Sequence, residues 1–110
     1  MKQGEIWYAN LNPSKGSEEA GFRPVVIMSG NLLNQYMNIV IIAPLTTKIK
    51  HYKGNPILQP SATNGLKDTS EMLVFHIRSI SKDRLVRKLG VIDDNELDRA
   101  NKTLNDILRY

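Results

Sequence analysis

Apolar residues fall in short blocks separated by polar stretches that carry proline or glycine. Glu5-Ile6-Trp7-Tyr8-Ala9-Asn10-Leu11 alternates and is rich in aromatic residues, which predicts a strand. The stretch from Asn12 to Gly21 has no apolar period, and Asn12-Pro13 with Gly16 marks a turn or loop. Pro24-Val25-Val26-Ile27-Met28 and Ile39-Val40-Ile41-Ile42-Ala43-Pro44-Leu45 are continuously apolar and β-branched, as buried strands are. Pro44 is expected at the end of its strand, because it cannot donate a ladder hydrogen bond. Residues 31–38 read as a polar loop with room for a short helical turn, and 46–55 as an exposed basic loop. Ile57-Leu58-Gln59 is a short strand. Ser70 to Ile80 alternates imperfectly and reads as one strand covered on both faces, with Met72, Val74, His76, Arg78 and Ile80 sharing a side. A helical or 3₁₀ turn at 81–85 and a strand over 85–91 follow.

The last segment has a different period. Asp93 and Glu96 match a capping box, and Leu97, Ala100, Leu104, Ile107 and Leu108 recur at helical spacing. An amphipathic helix over 94–108 is predicted, laid on the sheet by that stripe. Five to seven short strands and one terminal helix, with no β-α alternation, imply a mainly β (α+β) fold. A mostly antiparallel barrel or curled sheet is the expected architecture.

Composition narrows the chemistry. With 110 residues, one domain over 1–110 is expected. The 41% hydrophobic and 24% charged fractions are those of a globular protein. There is no cysteine, which excludes disulfides, thiolate metal sites and a cysteine nucleophile. The first residues carry one Lys and no apolar run, unlike a secretory signal. The longest apolar run, Ile39 to Leu45, is far short of the ~20 residues that span a bilayer. A soluble cytoplasmic protein with no membrane association is expected. The net charge of +4 permits a polyanionic partner without identifying one.

Three stretches carry a resemblance. Gly4-Glu5-Ile6-Trp7-Tyr8-Ala9 leads into Leu11-Asn12-Pro13. Gly16-Ser17-Glu18-Glu19-Ala20-Gly21-Phe22-Arg23-Pro24 runs into the second strand. Ala43-Pro44-Leu45-Thr46-Thr47 ends the third strand. Together, and in this order, they resemble the MazF/PemK toxin family, with a weaker echo in Ile77-Arg78-Ser79-Ile80. The resemblance implies an SH3-like barrel of the CcdB/PemK kind and a homodimer. It implies cleavage of single-stranded RNA at short motifs, with no metal or cofactor, and inhibition by a cognate antitoxin. The family's catalytic pair falls on Arg23 and Thr46, with Ser17 and Glu18 in the loop above.

Those residue types suit the chemistry. In metal-free RNA cleavage the 2′-hydroxyl attacks its own phosphate, leaving a 2′,3′-cyclic phosphate and a 5′-hydroxyl. A guanidinium matches the phosphorane oxygens and stays charged, so Arg23 is the expected charge stabiliser. The Thr46 hydroxyl can position the phosphate or a water, and the Glu18 carboxylate can act as base or orienting group. Ser17, Phe22, Thr47, Lys48, Lys50 and His76 are the candidate substrate contacts. Lys48 to Lys53 mixes cations with Tyr52, as single-stranded nucleic acid sites do, but also reads as a solvated loop. His76 departs from the family pattern. It either alters the RNA groove or is a half-buried strand residue. Trp7 reads as core. A CcdB-like gyrase poison and a non-cleaving binder of RNA or antitoxin are the alternatives. The terminal Ile107-Leu108-Arg109-Tyr110 lacks the tryptophan–glycine–isoleucine tail of the gyrase poisons.

Overall fold

In the central strands successive side chains point to opposite faces, and both faces are covered. The structure, a computed structural model, describes residues 1–12 and 21–110. Its strands are β1 (Glu5–Asn10), β2 (Phe22–Ile27), β3 (Ile39–Thr46), β4 (Ile57–Leu58), β5 (Ser70–Met72), β6 (Arg78–Ser81) and β7 (Leu85–Val91). The helices are α1 (Asn31–Tyr36) and α2 (Asp94–Arg109). They build a curled antiparallel sheet in the order β4-β5-β3-β2-β1-β7, with β6 also on β3. Val26, Met28, Ala43 and Leu45 face α2, which covers them with Leu97, Ala100 and Leu104. The intervening Val25, Ile27, Val40 and Ile42 close a second core with Ala9, Leu11, Ile80 and Leu85 inside the curl. Each fully buried Val or Ile is worth roughly 1.5–3 kcal/mol, so both layers are needed to hold the curl.

The expected β-rich fold with a terminal helix is present, and several local expectations are corrected. Residues 31–38 contain a helix, α1. Its buried Asn34 bonds Ser29, whose Oγ in turn accepts from the Ile41 amide at 3.0 Å. Pro44 lies inside β3, opposite Val25. It is tolerated because β3 pairs β6 only through Ile42 and β5 only from Leu45, so Pro44 falls in the gap between partners. Ser70 to Ile80 is two strands. A 3₁₀ turn at Val74–His76 interrupts it, pinned by the Leu73 amide on the Pro44 carbonyl at 2.9 Å. The turn rotates the faces, so Met72 and Val74 join the core under α2 while Ile80 joins the other. Asp93 makes the predicted capping box of α2 with Glu96. The helical stripe ends earlier than predicted, since Ile107 and Leu108 are exposed. Thr103 supplies a polar tie there instead, donating from Oγ1 to the Gly54 carbonyl at 2.6 Å. Trp7 is only partly buried. It packs on the inner core and donates from its indole nitrogen to Glu5 at 2.9 Å.

Candidate active site

β2 and β3 bring the two candidate catalytic residues together. Their register pairs Val25 with Pro44 and Val26 with Ala43, and just beyond its last pair Arg23 and Thr46 line the same cleft. Arg23 Nη1 makes a long contact of 3.4 Å with the Leu45 carbonyl, the residue before Thr46. Thr46 Oγ1 accepts the Lys48 amide at 3.1 Å, which turns the chain out of the strand. A hydroxyl that accepts one such bond still has its O–H to donate.

The pair lies in a cleft of about 590 Å³ that also takes in Phe22, Thr47, Lys48, Lys50 and His76. Every candidate within the described residues therefore converges on one site. Ser17 and Glu18 lie outside the described residues. Three cations, Arg23, Lys48 and Lys50, line the cleft, and no carboxylate lines it among the described residues. Such a surface attracts anions. Phe22 is 54% exposed and stacks on Tyr8 at 5.9 Å between ring centroids.

Two cleft residues, His76 and Phe75, and one residue beneath the cleft, Glu71, were misplaced or missed in the sequence. His76 is on the 3₁₀ turn rather than a strand, with its ring 4.4 Å from that of Phe75. Its Nδ1 is buried and has no hydrogen-bond partner among the described residues. Phe75 meets Tyr52 edge-on at 5.1 Å, so rings from two distant segments form one wall. Glu71 underlies this wall and was missed altogether.

Glu71 is fully buried and pairs with Thr46 in the β3–β5 register. Its Oε1 accepts the amides of Lys50 and His51 at 2.7 and 2.9 Å. Its Oε2 accepts the Tyr52 amide at 2.9 Å and Asn55 Nδ2 at 3.0 Å. Burial pushes its carboxyl up, but the bonds from Asn55, Lys50, His51 and Tyr52 outweigh this and hold it below its ordinary range. Three successive amides can converge on one carboxylate because His51 adopts a positive φ of 57°. The 46–55 segment, expected as an exposed loop, is thus anchored from beneath. The one clue in the sequence is a lone acid beside the apolar Met72-Leu73-Val74.

The family described as PemK-like, MazF-like toxin of type II toxin-antitoxin system matches residues 2–108. The chain is 31% identical over 105 residues to "Endoribonuclease EndoA" of Bacillus subtilis, covering 94% of this chain and 90% of the relative. It is 32% identical over 106 residues to "Endoribonuclease MazF" of Staphylococcus saprophyticus, covering 96% and 88%. The fold resembles crystalline MazF of Deinococcus radiodurans, with a TM-score of 0.86 at 23% identity over 100% of this chain and 97% of that one. It also resembles a mycobacterial endoribonuclease in complex with its cognate antitoxin. There the TM-score is 0.81 at 23% identity, over 98% and 94% of the two chains. The match over nearly the full length shows that the chain belongs to the PemK-like, MazF-like toxin family of type II toxin-antitoxin systems.

Proposed function

We propose that the chain is the toxin of such a pair, an endoribonuclease that cuts single-stranded RNA at a short motif by 2′-hydroxyl attack. The observation that carries this is the juxtaposition of Arg23 and Thr46 on neighbouring strands in a cleft lined by cations and rings. Relatives at 31% and 32% identity bear the name endoribonuclease. The nucleophile is the substrate's own hydroxyl, so the reaction needs no metal-bound water. Arg23 stabilises the phosphorane charge, a role in which a single preorganised donor is worth roughly 3–4 kcal/mol. Thr46 donates its O–H to a phosphate oxygen and holds it in line. Lys48 and Lys50 take the flanking phosphates, and Phe22, Thr47 and the Tyr52–Phe75 wall take bases by stacking and hydrogen bonds. Glu18, with Ser17 beside it, is the proposed base or orienting group. His76 also lines the cleft, where its ring nitrogens can donate or accept a hydrogen bond with the substrate.

A homodimer is part of this reading, with two symmetry-related clefts, as is a single domain acting in the cytoplasm. The antitoxin partner is proposed from the complexed mycobacterial relative. An acidic antitoxin tail would meet the cationic cleft and fold as it binds.

The test is incubation of purified protein with a long single-stranded RNA in EDTA, with mapping of fragment ends. Discrete cuts with 2′,3′-cyclic phosphate and 5′-hydroxyl ends, lost in folded Arg23→Ala and Thr46→Ala, are expected. No cutting by folded protein, or full activity in either variant, would overturn the assignment. Binding without cutting would mark a non-cleaving member of the family.

A further inference from the structure

We infer that Thr103, a residue of α2 outside the catalytic cleft, is a positioning residue that sets the Tyr52 half of the aromatic wall through the backbone of Gly54. The inference rests on the endoribonuclease reading above. Thr103 does not line the cleft, and like Ala100 it is buried on α2. Its hydroxyl donates to the Gly54 carbonyl at 2.6 Å, 49 residues earlier in the chain. The Tyr52 carbonyl accepts the Asn55 amide at 3.1 Å, so Gly54 lies inside the turn that starts at Tyr52. Arg99, one turn earlier on α2, reaches the same carbonyl only at 3.5 Å.

Packing of α2 alone does not call for this tie. Leu97, Ala100 and Leu104 face the core, and an apolar residue at position 103 would leave no polar group to satisfy. Threonine is also a weaker helix former than alanine. A helical threonine hydroxyl ordinarily turns back onto a carbonyl of its own helix, whereas here it reaches across to the loop. Gly54 is matched to it. A Cβ there would stand 2.7 Å from Thr103 Oγ1 and 3.0 Å from its Cγ2, and the φ of 89° suits glycine.

The consequence lies in the cleft. Glu71 grips the loop at the Lys50, His51 and Tyr52 amides and at the Asn55 side chain. Residues 51–53 are exposed, so packing does little to hold them. A loop held from one side can rock about that side, and an attachment away from it removes the motion. The Gly54 carbonyl is that attachment. The same helix backs the other half of the wall, because Ala100 shares a core with Val74, the first residue of the 3₁₀ turn that carries Phe75 and His76. α2 thus holds Phe75 through core packing and Tyr52 through Thr103, with the two rings 5.1 Å apart. A wall already ordered in the free protein loses less entropy when RNA binds, so the tie acts on substrate affinity.

The experiment uses the full chain and an oligonucleotide that contains the mapped cleavage motif. Thr103→Val keeps the shape and removes the hydroxyl, whereas Thr103→Ser keeps the hydroxyl. Thr103→Val should raise KM about fivefold, the scale of one neutral hydrogen bond, with kcat held. Thr103→Ser should match the unmodified protein. In a Tyr52→Ala background Thr103→Val should no longer change KM, because its effect passes through Tyr52. Melting curves show that each variant is folded, and Thr103→Ala carries the same expectation if Thr103→Val is not. An unchanged KM in the folded variant that lacks the hydroxyl would overturn the positioning role. So would a Thr103→Ser variant as weak as Thr103→Val, or a Thr103→Val effect of the same size without Tyr52, because the tie would then serve the fold alone. If the unmodified protein cuts no RNA, the endoribonuclease reading fails first and the positioning role falls with it.

Discussion

Replacing Glu71 by Gln changes one buried oxygen to an amide nitrogen and removes one charge, with almost no change in shape. The carboxylate holds four donors, two on each oxygen. Gln can keep two of them on its remaining oxygen. Its NH₂ then faces the other two donors and cannot accept from either. Hydrogen bonds to a charged group are worth roughly 1.5–3 kcal/mol each, so losing two removes about 3–6 kcal/mol. The two that remain become neutral and weaken. Against this, the buried charge and its desolvation cost disappear, which returns several kcal/mol. Water also reaches the Lys50 to Tyr52 amides more easily than a closed core, because those residues are exposed at the surface. A net loss of about 2–3 kcal/mol follows, or a fall in Tm of about 10–15 °C at neutral pH. Hydrogen exchange should locate the loss, with the amides of Lys50, His51 and Tyr52 deprotected more than those of β1 and β2. The sign in acid is fixed by the direction of the shift. A carboxyl held below its ordinary value stabilises the fold above that value, and the contribution fades as pH falls through the folded-state value. The melting difference between the Glu71→Gln variant and the unmodified protein should therefore shrink as pH falls below the ordinary glutamate range. A Glu71→Gln variant that melts within ~2 °C of the unmodified protein, with the three amides still protected, would refute the assignment of Glu71 as the anchor of the cleft loop.

Glu5 is a second buried carboxyl. Burial pushes it up, and the Trp7 indole, the Lys2 amide and Lys88 at 3.2 Å outweigh that and lower it. Its stabilisation is likewise present above the ordinary glutamate range and lost in acid below it, so Glu5→Gln should lower Tm at pH 7 and much less in that acid range. His76→Gln keeps a polar side chain but removes the imidazole. As part of the cleft lining, His76 should contribute to substrate binding, so KM on RNA rises while kcat holds; an unchanged KM would remove it from the site. Asp93→Ala removes the capping box of α2 and should cost about 1 kcal/mol by denaturant titration. Gly90→Ala would place a Cβ 2.2 Å from the Thr63 carbonyl oxygen and 2.5 Å from the Asn64 carbonyl carbon. Backbone cannot yield as a side-chain tip does, so a loss of about 3 kcal/mol is expected in the same titration.

The parts of this protein legible in its sequence are those governed by neighbours in the chain. The β-branched blocks at Val25-Val26-Ile27 and Ile39 to Ile42 announce strands buried on both faces, and they supply alternate residues to two cores. Asp93 and Glu96 cap α2 because a capping box closes within four residues. Arg23 and Thr46 are candidates through the family motif alone, because nothing local distinguishes them from ordinary strand-end residues. What escaped depends on partners brought in from elsewhere. Nothing near Val74–His76 signals that the strand must break, since its cause is the Leu73 amide meeting the Pro44 carbonyl on another strand. Ile107 and Leu108 keep the helical period after the sheet beneath them has ended, so periodicity overstates the buried stripe. Glu71 is the sharpest case. A lone carboxylate in an apolar block looks like a local error in the pattern. Its donors lie 16 to 21 residues earlier, in a segment that looks like a solvated basic loop. Each segment alone conflicts with its surroundings, and only together are they satisfied. Where a local rule is broken and a distant group repairs it, the repair fixes geometry that local rules leave loose. Here what it fixes is the segment that presents Lys50 and Tyr52 to the cleft.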